Sequence, residues 1–360
     1  MGLNSFQTSG NSPGSSRCRV GLVGAGALGL AIARRLTAAD SPSSLHLTHI
    51  SDRRARDKQP RVAETLAALT WTERFDDLLT SDVDVIVEAV SASEPASDYV
   101  RAALLAGKSV VATSKLVMAH HGPALLGLAE RQGRQLRFGA AIGGALPIVR
   151  LLADGLAGEG ARVIDATLSG AANAVMSRMD EVGCDIDEAV ADACARGYAD
   201  ADPTLDLNGA DAAAKLAVMC AFAFGLRVAP AQVETRSAER IRPENFRKAR
   251  LRQGTIRHVA HAEYDRERGA LAAWVAPLFV PQASLFGVTT GPRIAVRIVG
   301  SHAGEVTAAG IGAGVEASAV GVISDLVAIG RDRAAIVPAP VLVDPRQVSG
   351  ISDLQLAEAV

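Results

Sequence analysis

The chain has 360 residues, 49% of them hydrophobic and 21% charged, with a net charge of −2. That composition excludes a disordered protein and a basic nucleic-acid binder, and the length is enough for two domains around large cores. Aromatic residues make up only 4%, so the core must be built from Ala, Val, Leu and Ile, as suits buried parallel strands and close-packed helices.

Residues 1–17 are polar, lack the apolar run of a signal peptide, and are expected to form a disordered tail. Arg19-Val-Gly-Leu-Val-Gly then reads as a short strand, followed by Gly24-Ala-Gly-Ala-Leu-Gly29 and a stretch with helical spacing. This is G-x-G-x-x-G between a strand and a helix, the context that predicts a dinucleotide site. Gly24 makes the turn and Gly26 lets the pyrophosphate approach. Gly29 packs helix on strand, and the N–H groups of Ala27 and Leu28 belong to the anion-binding helix end.

A second strand, Leu45 to Ser51, leads to Asp52. A carboxylate there suits the ribose hydroxyls of NAD, whereas Arg53 and Arg54 suit the 2′-phosphate of NADP or are simply solvated charge. The balance tips slightly to NADP. Asp84–Val90 reads as a buried strand followed by Ser91 and a helix. Lys108–Lys115 reads as another, which would carry Ser114 and Lys115 to the ligand edge of the sheet. A helix is expected over Pro123–Gln132 and a strand near Leu136–Ala140. The nucleotide domain is taken as residues 18–145.

Beyond Gly143-Gly-Ala-Leu-Pro the pattern becomes α+β, with a substrate and dimerisation domain expected over 146–310. Strands are expected at Arg162–Leu168, Thr255–Ala260, Ala270–Leu278 and Arg293–Val299. A helix over Ala317–Ile329 falls within a segment, 311–335, expected to return to the nucleotide domain. Residues 336–360 are expected to be irregular. His258 and His261 stand three apart in a predicted strand, not at the spacing of a zinc-binding helix, and no metal is expected. The four scattered cysteines suit free thiols in a reducing compartment, hence the cytoplasm.

The most informative stretch runs from Gly197 to Lys215, with Asp200, Asp202, Asp206 and Asp211 before an alanine-rich helix. Asp211 and Lys215 are four apart and share a helix face. On its own the pair is either an ordinary surface ion pair or a buried charge pair kept for chemistry.

Together these landmarks resemble homoserine dehydrogenase, from about residue 18 to about residue 332. Val85-Ile-Val-Glu-Ala and Val110-Val-Ala-Thr-Ser-Lys115 are similar to family strands, the second against V-V-T-A-N-K. Phe138-Gly-Ala-Ala-Ile-Gly-Gly-Ala-Leu-Pro-Ile148 resembles F-E-A-A-V-G-G-G-I-P-I. The Gly197–Lys215 stretch resembles G-Y-A-E-A-D-P-T-x-D-x-x-G-x-D-A-A-x-K, and Gly310–Gly314 resembles G-P-G-A-G.

The resemblance implies a Rossmann domain joined to an α+β catalytic domain in a homodimer that acts on a small molecule. It implies NAD(P)-dependent interconversion of L-aspartate-4-semialdehyde and L-homoserine. Lys215 and Lys115 would be the proton-handling groups, with Asp211 orienting Lys215. Asp200, Asp206, Gly170 and Ala171 would meet the substrate, and Ser91, Ser114, Lys115 and Gly314 would join the glycine turn around the cofactor. No ACT-type regulatory domain, membrane contact or nucleic acid is expected.

The chain also departs from the family pattern. Asp200 replaces a Glu, Ser169-Gly-Ala-Ala-Asn-Ala174 replaces N-G-T-T-N-Y, and Gly139 replaces the Glu of a monovalent-cation site, where no side-chain ligand is then expected. Two alternatives follow: a paralogue acting on another hydroxy or aldehyde compound, or a silent dinucleotide-binding regulator.

Overall fold

Six short parallel strands build the first sheet: Cys18–Val23 (β1), Leu45–Ser51 (β2), Thr70–Thr72 (β3), Val85–Glu88 (β4), Ser109–Ala112 (β5) and Leu136–Arg137 (β6). Their order, β3-β2-β1-β4-β5-β6, reverses direction between β1 and β4, and a ligand binds at such a switch point. β4 and β5 are buried at every position, which is why, apart from Glu88 and Ser109, the sequence there is a run of Val, Ile and Ala without alternation. The structure, a computed structural model, describes residues 17–90, 93–199 and 202–352.

Helices cover this sheet: Ala27–Thr37 (α1), Ser93–Leu105 (α2), Lys115–Arg131 (α3) and, after β6, the short Gly139–Gly143 (α4). One expectation fails here. Lys115 does not end a strand but opens α3, and Pro123, expected to start a helix, lies inside it. The Ser114 side chain caps the helix by accepting from the Val117 N–H at 3.3 Å, so it begins eight residues before the proline. Burial of Met118, Leu125 and Leu126 on either side holds the helix across the missing N–H.

The second sheet is mixed. Its path is β12-β11-β7-β9-β10-β13, formed by Ala161–Thr167 (β7), Gly254–Asp265 (β9), Ala270–Pro281 (β10), Arg293–Gly300 (β11), Glu305–Ile311 (β12) and Gln347–Ser349 (β13). Glu234–Thr235 (β8) also pairs with β10. The segment expected to be irregular after residue 336 therefore contributes an edge strand, with Val348 opposite Leu271. Gly170–Val182 (α5), Ile186–Ala195 (α6), Thr204–Leu207 (α7), Ala210–Phe224 (α8) and Pro243–Leu251 (α9) complete this half. Along β9, Ala260 and Ala262 join the core that holds Leu216, Met219 and Cys220 of α8. The last helix among the described residues, Val315–Arg331 (α10), packs against α1 and α4, with Arg35 donating to Glu316 at 3.1 Å. Among the described residues no helix is long and apolar enough to cross a membrane.

Candidate active site

The glycine turn lies where the sequence places it. Gly24 has φ +97°, and a Cβ there would strike the Ala89 carbonyl; a Cβ on Gly29 would strike the Gly24 carbonyl. α1 starts without a side-chain cap, which leaves its first N–H groups for a ligand. Gly24 and Gly26 border a cleft of about 750 Å³ that Asp52, Arg53, Arg54 and Lys58 also line. Turn, helix end and cleft together fit a dinucleotide.

Asp52 is not free in this cleft. Its Oδ2 accepts from the Ala25 N–H at 2.9 Å and from Lys58 Nζ at 2.6 Å, and its Oδ1 accepts from the Arg54 N–H at 2.9 Å. Burial would raise its pKa, but Lys58 and the two N–H groups reverse the sign and hold the carboxyl below its ordinary value. Lys58 had no visible partner in the sequence. It follows Asp52 by six residues in a charged run, and only the turn after β2 and the short helix Ala55–Lys58 fold it back.

A second cavity, of about 310 Å³, opens beside Leu28 of α1. Into it point Lys115 from α3, Asp206 from α7, and Asp211 and Lys215 from α8. The Asp211 side chain is 1% exposed; Lys215 Nζ lies 2.8 Å from its Oδ2, and Lys115 pairs with its Oδ1. Among the described residues neither oxygen has any other donor, so two ammonium charges compensate this one buried carboxylate. Burial pushes Asp211 up, but Lys215 and Lys115 overcome it and hold the group below the usual range. Lys215 also donates to the Leu168 carbonyl at 2.9 Å, which fixes its direction.

Asp206 behaves in the opposite way. Burial, followed by the charge of Asp211, raises its pKa, and Ser169 donates its hydroxyl to Oδ1 at 2.7 Å. Ser169 also caps α5, where Gly170 and Ala171 line the cavity. Ala172 and Ala174 lie instead in the core behind α5, so of these three alanines only Ala171 faces the site. Gly314 borders the cavity from the start of α10. Thr113 and Tyr198, which lie inside the two family-like stretches Val110–Lys115 and Gly197–Lys215, line it too, as does Ser318, although none of the three was expected as a site residue. Ser91 and Asp200 lie outside the described residues.

His258 and His261 face opposite sides of β9. The first meets the Arg236 carbonyl at 3.0 Å, the second Asp165 at 2.7 Å.

Residues 147–327 match the family described as homoserine dehydrogenase, and residues 24–139 match the homoserine dehydrogenase NAD-binding domain. The chain belongs to the homoserine dehydrogenase family. It is 31% identical over 335 residues to the homoserine dehydrogenase of Corynebacterium glutamicum, covering 90% of this chain and 74% of that one. The enzyme of Mycobacterium bovis is 35% identical over 266 residues, 73% of this chain, and the match spans 60% of the mycobacterial length. A homoserine dehydrogenase from Thiobacillus denitrificans superposes with a TM-score of 0.84 at 26% identity, over 93% of this chain and 80% of that chain. A putative homoserine dehydrogenase from Archaeoglobus fulgidus gives 0.75 at 27% identity, over 87% and 99%. These two solved structures thus share the fold of this chain over most of its length.

Proposed function

We propose that the protein is an NAD(P)-dependent oxidoreductase that interconverts L-homoserine and L-aspartate-4-semialdehyde. The observation that carries the reading is the buried Asp211 holding Lys215 and Lys115 at a cavity next to the N-terminus of α1. A bound nicotinamide supplies a hydride to the aldehyde carbon, or takes one from the alcohol. In the reducing direction the oxygen gains charge and needs a proton; a lysine ammonium fixed in a low-dielectric site supplies both the field and the proton. In the oxidising direction the neutral amine takes the hydroxyl proton. Lys215, aimed by Asp211 and the Leu168 carbonyl, is the nearer to a fixed geometry, and Lys115 stands across the carboxylate from it.

Asp206 is the group for the cationic amino end of the substrate. Burial and the charge of Asp211 raise its pKa against the opposing charges of Lys215 and Lys115, and a bound ammonium would offset that burial. Asp200 is the further candidate for the same end.

The cofactor reading favours NADP. Oδ2 of Asp52 already serves two donors and Oδ1 one, which leaves too few acceptors to hold both ribose hydroxyls. Arg53, Arg54 and Lys58 line the same cleft and suit a 2′-phosphate. The assembly we infer is a cytoplasmic homodimer, and the free thiols of Cys18, Cys184, Cys194 and Cys220 are consistent with a reducing compartment.

The test follows reduced-cofactor absorbance with homoserine, aspartate semialdehyde and a panel of other alcohols and aldehydes. Turnover on the first two supports the proposal. Turnover only on another compound points to a divergent paralogue, and cofactor binding without turnover points to a silent regulator.

A further inference from the structure

Glu88 faces neither cavity, yet its side chain holds the backbone that borders both. It ends β4, between Val23 of β1 and Ala112 of β5, and is fully buried. Oε1 accepts from the Val90 N–H at 2.7 Å, and Oε2 accepts from the N–H groups of Thr113 at 3.1 Å and Ser114 at 3.3 Å. Val90 borders the cofactor cleft and Thr113 the lysine cavity. Ser114 caps α3, whose first residue is Lys115. One carboxylate therefore clamps the turn after β4 to the turn after β5.

Packing does not require that arrangement. Every other position of β4 and β5 is apolar except Ser109, and a Leu or Met would fill the same volume without the cost of a buried charge. Burial raises the pKa of Glu88 and the three N–H donors oppose it, the pattern of a carboxylate kept for its acceptors. The donors it takes from the Thr113–Ser114 turn also adjoin the positive end of α3, which favours an anion there.

We propose that Glu88 is a positioning residue: it fixes the turn after β5 against the turn after β4, so that Lys115 reaches Asp211 in register with a bound cofactor. This rests on the function proposed above. Glu88 exchanges no proton with substrate, and its whole effect passes through the backbone at Val90, Thr113 and Ser114. A displacement of about 1 Å in a group of this kind is enough to cost on the order of 100-fold in rate.

The variant that reads this is Glu88→Gln, compared with Val110→Ala, a buried β5 change that reports lost packing alone. The glutamine keeps the volume but turns an NH2 toward one of the two turns, so a donor meets a donor. Expected for Glu88→Gln is a fall in kcat of about 10- to 100-fold and a rise in the cofactor KM, with the amino-acid KM changed less than about threefold. Val110→Ala is expected to lower Tm with kcat and both KM values near wild type. Should Glu88→Gln fail to fold, Glu88→Asp, which keeps the charge but is one methylene short, is read for the same split. The proposal is overturned if the variant that folds lowers Tm as Val110→Ala does and leaves kcat and cofactor KM unchanged. Failure of the underlying function is seen separately, as a wild-type protein without turnover on homoserine or the semialdehyde.

Discussion

Lys215 Nζ sits 2.8 Å from Asp211 Oδ2, one turn along the same helix, and the aspartate side chain is 1% exposed. Lys115 reaches the other oxygen from α3, so the carboxylate joins a helix of the nucleotide-binding half to a helix of the second half. Surface ion pairs at this spacing contribute a few tenths of a kcal/mol, but removing one partner of a buried pair costs about 3–5 kcal/mol. Asp211→Asn should therefore lower Tm and reduce kcat by at least about 100-fold. The pH sign follows. Because the folded-state pKa of Asp211 is depressed, its contribution is present above the unfolded carboxylate value and is lost as pH falls through the folded one. Thermal melts of wild type and variant should converge toward acid.

Asp206 and Ser169 make a separable pair. Asp206→Asn is expected to raise the homoserine KM by about tenfold or more while kcat falls less, because the amino end of the substrate is bound alike in ground and transition states. Ser169→Ala removes both the Asp206 contact and the cap of α5, so it should also lose about 1 kcal/mol of stability. Steady-state kinetics with homoserine varied, alongside denaturant melts, checks both.

Cofactor choice should follow Lys58. Lys58→Ala frees Oδ2 of Asp52 from one donor and removes a cation from the cleft wall. The ratio of kcat/KM for NADP to that for NAD is expected to fall at least about tenfold. An unchanged ratio would place the 2′-phosphate elsewhere.

Asp325 supplies a contrasting pH dependence. It accepts from the Gly139 N–H at 2.8 Å, and burial lifts its pKa from 3.8 to about 6. Raised in the folded state, it favours folding when protonated, and that stability is lost as pH rises from about 4 through about 6. The shift corresponds to on the order of 3 kcal/mol. Asp325→Asn keeps the acceptor without the charge, so its Tm relative to wild type should climb between pH 4 and pH 7.

The glycine turn was legible because its signal is local: Gly24, Gly26 and Gly29 sit together between a strand and a helix, and spacing and context jointly mark the turn. Asp211 and Lys215 were legible as a helical pair, but burial, which makes them more than a surface bridge, depends on β7 and β9 packing around α8. Lys115 was assigned to the wrong element. Pro123 suggests a helix start, and the Ser114 cap outweighs it. Lys58 and Glu88 gave no sign of their roles, since each acts on backbone or side chains that only the fold brings near. β12 escaped notice for another reason. Its Thr-Ala-Ala-Gly run is weakly β-forming, and pairing with β11 along its length decides it. β13 is three residues at a sheet edge, too short for any periodicity.

The most direct measurement is paired kinetics and cofactor binding for Lys215→Met against wild type, with homoserine and NADP. Wild type should turn over, and the variant should lose at least about 1,000-fold in kcat with its cofactor Kd within about threefold of wild type. Retained turnover, or a comparable loss of cofactor affinity, would contradict Lys215 as the proton-handling residue at the substrate oxygen.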